Sequence, residues 1–183
     1  MSFYSRNELS KLGFKSIGEN VLVSTKCSIY SPNEIVLGNN VRIDDFTILS
    51  GSIRIGNNVH ISAFCGLYAR NGIEIMDYSG LSPRSTIFSA MDDFSGEFLI
   101  NPTVDNHLTN VVGGKVVMEK FTQVGAHSVV FPNVKIKEGS VTGAFSLVLK
   151  DLEGWSIYAG IPVKKIKNRS KACLNKLNNI PEV

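Results

Sequence analysis

Leu37-Gly38-Asn39-Asn40-Val41-Arg42-Ile43-Asp44-Asp45-Phe46-Thr47-Ile48-Leu49 is one pattern read twice. An aliphatic residue stands at Leu37, Ile43 and Leu49, and a small or β-branched one follows four places later, at Val41 and Thr47. The same beat runs from Ile17 to Ile29 and from Ile55 to Leu67, then from Ile75 to Ile87 and from Met118 to Val148. A six-residue repeat gives one short strand and one corner per repeat, and stacked repeats build a parallel β-helix. The aliphatic side chain points into a narrow prism. So does the small one four places on, such as Val21, Cys27, Val59, Cys65, Ser79, Ser85, Thr122, Ser128, Val134, Ser140 and Ser146. Gly and Asn gather at the corners, where tight turns and positive φ are needed.

With 183 residues the chain has enough length for one full core, and no apolar run approaches a membrane span. The first residues, Met1-Ser2-Phe3-Tyr4-Ser5-Arg6-Asn7, lack the apolar stretch of a signal peptide, which points to the cytosol. Cys27 and Cys65 fall at inward positions and Cys173 in the tail, without metal-site spacing. A net charge of +3 argues against nucleic acid as a partner. Much of the excess is local, in Lys164, Lys165, Lys167, Arg169, Lys171 and Lys176.

The pattern divides the chain into a capping segment at 1–15, coils over 16–163 with an excursion at 88–114, and a basic tail at 164–183. Leu9, Leu12 and Phe14 fit a short amphipathic helix in the first segment. The beat stops after Ile87 and resumes near Val116. A long loop inside a compact domain is usually functional. Residues 164–178 read as a basic helix with Ile166, Ala172, Leu174 and Leu177 as apolar contacts.

The repeats, the single long loop, and Ile157-Tyr158-Ala159-Gly160-Ile161-Pro162-Val163-Lys164-Lys165-Ile166 resemble the hexapeptide-repeat acyltransferases. Within them the chain is most similar to the galactoside/maltose acetyltransferase-like group, which includes enzymes of surface-polysaccharide pathways. The resemblance implies an all-β, left-handed parallel β-helix and a homotrimer with active sites between subunits. It also implies acetyl-CoA as co-substrate, with no metal. By motif, Gly125-Ala126 and Gly143-Ala144 lie at matching corners beside the coenzyme, and Lys150, Lys164 and Lys167 face its phosphates.

Acyl transfer to a hydroxyl needs a base, usually His near neutral pH. The sugar acetyltransferases of this group carry a His where this chain has Met91-Asp92-Asp93. His60, His107 and His127 remain. His60 is the favoured base, on a rigid coil, with Asp92 or Asp93 to orient it. His107, inside the loop, is the second choice. Asp44 and Asp45 are candidates for lining the acceptor end, and the Gly143 or Ala144 amide for holding the oxyanion.

The first expectation is therefore O-acetylation of a sugar. The alternative is N-acylation of a nucleotide-linked amino sugar, which would explain the absent loop His. Many such enzymes carry an added N-terminal nucleotide-binding domain, and this stretch has none, which favours the hydroxyl. A carbonic-anhydrase-like metalloenzyme on the same prism is the remaining class.

Overall fold

The computed structural model describes residues 2–177, and over them the chain is a left-handed parallel β-helix. Three faces repeat. The second face stacks Leu22–Val23, Arg42–Ile43, His60–Ile61, Gly80–Leu81, Gln123–Val124, Val141–Thr142 and Ser156–Ala159. The first and third faces share strands, because Ile48–Ile55 and Gly66–Ile75 each run across the edge between them. Register is strict: Arg42 pairs His60, His60 pairs Gly80, and Gly80 pairs Gln123.

The inward residues explain the register. Leu37, Ile43, Leu49, Ile55, Ile61, Leu67, Ile75, Leu81 and Ile87 are all buried. The small positions between them include Thr47, Ser85, Thr122, Ser128, Ser140 and Ser146, also buried. A hydroxyl fits here because the corner carbonyls lie within reach. Ser85 donates to the Gly125 carbonyl at 2.8 Å, and Ser146 to that of Gly143 at 2.8 Å. Burial without such partners would be costly.

Cys65 is buried and Cys27 half-buried. Burial pushes both thiols up to about 11, and their Sγ atoms donate to the carbonyls of Ser82 and Asp44 respectively. Thiolate is the reactive form. One rapidly reacting thiol per chain, the exposed Cys173, is therefore expected with Ellman's reagent, and all three after denaturation. A second fast thiol in the native protein would contradict this packing.

The first segment forms a helix, Arg6–Lys11, capped by Ser5 with Glu8 reaching back, and Leu9 is buried against the prism end. The tail departs from the expected basic helix. Lys164–Asn168 is a strand, antiparallel to Ser156–Ala159, and the helix is only Leu174–Leu177. Residue 178, the last of the expected helix, lies outside the described residues. The last rung offers an open sheet edge, and the chain reversing at Gly160 fills it. Backbone pairing of that edge outweighs a helical spacing of a few apolar residues. Arg169 then lies over Trp155, and its Nη1 donates to the carbonyls of Phe121 (2.6 Å) and Gly139 (2.9 Å).

Candidate active site

The excursion leaves from the third face, after Thr86–Phe88, and returns to the first at Val116–Met118. Its neck is an antiparallel ribbon in which Ala90–Asp92 pairs Val111–Gly113. Only glycine fits at 113, since a Cβ there would lie 2.7 Å from the Ala90 Cα. Asp93 clasps the neck: it accepts from Ser95 N at 2.8 Å and Asn110 Nδ2 at 2.9 Å. Those hydrogen bonds, first of all that from the Ser95 backbone, hold its carboxyl below the usual range.

Asp92 accepts from Asn101 N at 3.1 Å and borders a groove of about 640 Å³. Tyr68 and Phe88, stacked at 5.2 Å, line it together with Arg70, Met91 and Val111. On the other side of the neck, Phe88, Met91, Phe94 and Phe131 line an apolar pocket of about 310 Å³.

His60 stands elsewhere, exposed on the second face. Within one protomer neither Asp92 nor Asp93 orients it, because the loop departs from a different face. Its Nε2 meets Asp44 Oδ2 at 2.8 Å, and Arg42 Nε meets Asp44 Oδ1 at 2.7 Å. Asp44 is buried, and so accepts from fixed donors on both sides. Asp45 serves the first coil: Ser24 donates to it and Lys26 pairs with it at 3.3 Å, which together hold its carboxyl low. His107 lies in a short turn of the loop, Asn106–Leu108, and is exposed.

Gly125-Ala126 and Gly143-Ala144 stack one coil apart, and the Phe145 N–H donates to the Ala126 carbonyl at 2.8 Å. The edge they form continues as a ladder of exposed rings and cations. Lys26 lies over Phe46 (5.4 Å), Phe46 stacks on Phe64 (4.9 Å), Arg84 lies over Phe64 (4.7 Å), and His127 stacks on Phe145 (4.8 Å). Lys150 and Lys164 meet at one groove of about 340 Å³ with Leu149, Pro162 and Val163. Lys167 stands further along, opposite Ile157.

One feature of the second face escaped the sequence reading. Gln123 lies over Gly80 and donates from Nε2 to Ser82 Oγ at 2.9 Å. A glycine at an outward strand position, with polar residues in register on both sides, was its signal.

Residues 34–69 match the family model described as bacterial transferase hexapeptide (six repeats). A dTDP-4-amino-4,6-dideoxy-D-glucose acyltransferase from Escherichia coli is 39% identical over 177 residues, spanning 95% of this chain and 92% of that protein. The chain belongs to the hexapeptide-repeat acyltransferases. Among solved structures, AntD, an N-acyltransferase from Bacillus cereus in complex with dTDP and 3-hydroxybutyryl-CoA, is 50% identical with a TM-score of 0.95. That likeness covers 97% of this chain and 95% of AntD. A maltose O-acetyltransferase from Clostridium difficile shares the fold at 22% identity and a TM-score of 0.60, over 91% of this chain and 75% of that one. For this hexapeptide-repeat acyltransferase, the expectation that favoured a hydroxyl acceptor loses its force. A named N-acyltransferase matches it nearly end to end.

Among the described residues, no helix is long and apolar enough to cross a membrane, and no group of three or more His, Cys, Asp or Glu is placed to hold a metal ion.

Proposed function

We propose that this chain is an N-acyltransferase that moves an acyl group from coenzyme A to the amine of a dTDP-linked 4-amino-4,6-dideoxy sugar. The observation that carries this reading is the likeness to AntD over nearly the whole of both chains. A serine-to-cysteine variant of AntD has been crystallised with dTDP-4-amino-4,6-dideoxyglucose and coenzyme A together. The hydroxyl-directed reading gives way for the same reason: its maltose-type relative shares only the fold.

Two residues follow from the AntD structures. Variants were made there at a serine and an aspartate ten positions apart. Ser82 and Asp92 have that spacing here, on either side of the turn into the loop. Ser95 and Asp105 share it but lie wholly within the loop, where Ser95 serves the Asp93 turn. In one protomer Ser82 and Asp92 are parted by the third face. We therefore place the reaction between protomers of a homotrimer, Ser82 from one and Asp92 from the next. Asp92 accepts a hydrogen bond from the unprotonated amine of the acceptor.

3-Hydroxybutyryl-CoA, which AntD binds, and acetyl-CoA are the donors to try. Gly125-Ala126 and Gly143-Ala144 give the pantetheine a flat edge. Lys150 and Lys164 face the phosphates, with Lys167 beyond them. Lys150→Ala or Lys164→Ala should raise the KM for acyl-CoA roughly 3- to 10-fold with kcat little changed, since exposed charged contacts are worth about 1 kcal/mol and serve ground and transition states alike. An unchanged KM in both variants would remove the phosphate assignment. Three free cysteines fit a reducing compartment, and the product fits a surface glycan.

Thiol release and product mass, measured against the dTDP-amino sugar and against maltose and galactosides, test the whole reading. Turnover of the free sugars alone would overturn it. One observation keeps the hydroxyl reading as the second choice: His60 and Asp44 have the geometry of a base and its orienting carboxylate.

A further inference from the structure

The second face carries a device whose parts lie on two adjacent coils. Gly80 sits in register between His60 below and Gln123 above. A Cβ at Gly80 would lie 2.8 Å from Gln123 Oε1 and 2.8 Å from the His60 carbonyl oxygen. The missing side chain is what lets the Gln123 amide lie flat on the strand. From there Nε2 reaches Ser82 Oγ at 2.9 Å, with the Val124 carbonyl at 3.4 Å. A carbonyl can only accept, so the amide nitrogen, not its oxygen, is the end turned this way. Ser82 itself is pinned: its N–H donates to the Val124 carbonyl at 2.9 Å, and its own carbonyl accepts from Cys65 Sγ at 3.3 Å.

A serine hydroxyl beside an acyl transfer can do one of two things. It can accept a hydrogen bond from the nucleophile, or it can donate one to the carbonyl oxygen as charge builds there. It has one proton to give. With Gln123 donating to Oγ, that proton is turned away from Gln123. The incoming N–H also polarises the O–H and strengthens it as a donor.

We infer that Gly80 and Gln123 position the Ser82 hydroxyl to donate a hydrogen bond to the thioester carbonyl oxygen of the acyl donor. This rests on the proposed function, which puts Ser82 at the reacting centre. The amine nitrogen attacks the carbonyl carbon, and the C=O π pair moves to oxygen, where the Ser82 proton meets it. The pair then returns and the C–S bond breaks. The nitrogen's proton passes to the departing coenzyme A thiolate, leaving an amide and a free thiol. Gln123 touches neither substrate. It is a positioning residue acting through Ser82.

The test is a double-mutant cycle read in kcat and in both KM values, with thermal midpoints recorded for every variant. Ser82→Ala should lower kcat roughly 10²-fold, in the range for loss of one oxyanion donor. Gln123→Ala should lower it about 10-fold alone, with both KM values unchanged, and add nothing in the Ser82→Ala background. Gly80→Ala should reproduce Gln123→Ala by pushing the amide off the strand. Gln123→Glu is the decisive variant. A carboxylate accepts, turns the hydroxyl round, and should cost as much as Ser82→Ala. Equal losses from Gln123→Ala with and without Ser82 would overturn the inference, as would wild-type rates in Gln123→Glu, even if Gly80→Ala failed to fold. Full activity in Ser82→Ala would overturn both this inference and the placement of Ser82 on which it rests. Loss in Ser82→Ala with wild-type rates in Gln123→Glu would sink this inference alone.

Discussion

Phe64→Glu is expected to give a monomer that transfers no measurable acyl group. Phe46, Phe64 and Phe145 stand at one prism edge, 50%, 48% and 62% exposed. Each has positive φ, at 61°, 61° and 52°. That conformation costs a residue with a Cβ about 1–2 kcal/mol. Where the neighbouring edge needs the same φ, in its early coils, it uses Asn20, Asn40 and Asn58, which tolerate the conformation and hydrogen-bond to one another. Exposed phenylalanines in strained backbone make sense as a buried seam between copies. The trimer would close that seam around its axis. A carboxylate there, repeated in every copy, would have to be desolvated in place of an apolar ring, with Arg84 the cation beside it. Light scattering reads the mass, and circular dichroism should still report an intact β-helix because Phe64 is no part of the core. Activity should fall by roughly 10³-fold or more, since Ser82 and Asp92 would no longer meet. A normal trimer with normal turnover would place the seam on another edge.

The second large effect lies in the acceptor. A dTDP sugar with a hydroxyl in place of the amine should turn over roughly 10³-fold more slowly, a typical share for a positioned base. An amine on a ring of oxygenated carbons titrates below the lysine value of about 10.4, so a useful fraction is unprotonated at neutral pH. It attacks without help and sheds its proton to the leaving thiolate. A hydroxyl has no such reserve. On this reading His60→Ala should keep its rate with the amine acceptor within a few-fold. If the hydroxyl sugar is turned over as fast, and His60→Ala abolishes that turnover, the His60–Asp44 pair is the base and the enzyme acts on oxygen.

The coils were legible because a period of six leaves no freedom: a shift of one residue would turn Ile43 or Ile61 out of the core. The break after Ile87 was equally plain. What could not be read was contact between residues far apart in sequence. His60 was matched to Asp92 and Asp93 because its coil lies close to where the loop leaves, whereas its partner in the same protomer, Asp44, sits sixteen residues earlier, a diagonal neighbour on the adjoining coil. Counting in whole turns of the prism would have led from His60 back to Arg42, with Asp44 two residues on along the same strand edge. It would also have found Gln123 over Gly80, but for the loop inserted between their coils. The tail was misread for another reason. Ile166, Ala172, Leu174 and Leu177 carry a helical spacing, yet the open edge of the last rung decides the conformation of Lys164–Asn168, and an edge is invisible to a local pattern.

The excursion at 88–114 starts and ends at almost one point. Gly114 N donates to the Ser89 carbonyl at 3.0 Å, and Val116 lies directly on Ile73 of the previous coil. To the prism, the whole segment is a pendant hung from one corner. Lengthening or rewriting it between Asp93 and Asn110 would change closure entropy only slowly, by about 0.6 kcal/mol per doubling of length, and would leave every rung in place. On the proposed function, which sets the acceptor against the neck of this pendant at Asp92, its exchange would alter the acceptor side and leave the coenzyme edge fixed. Chimaeras that trade it among relatives should keep their stability and donor affinity and inherit the acceptor of the loop's parent.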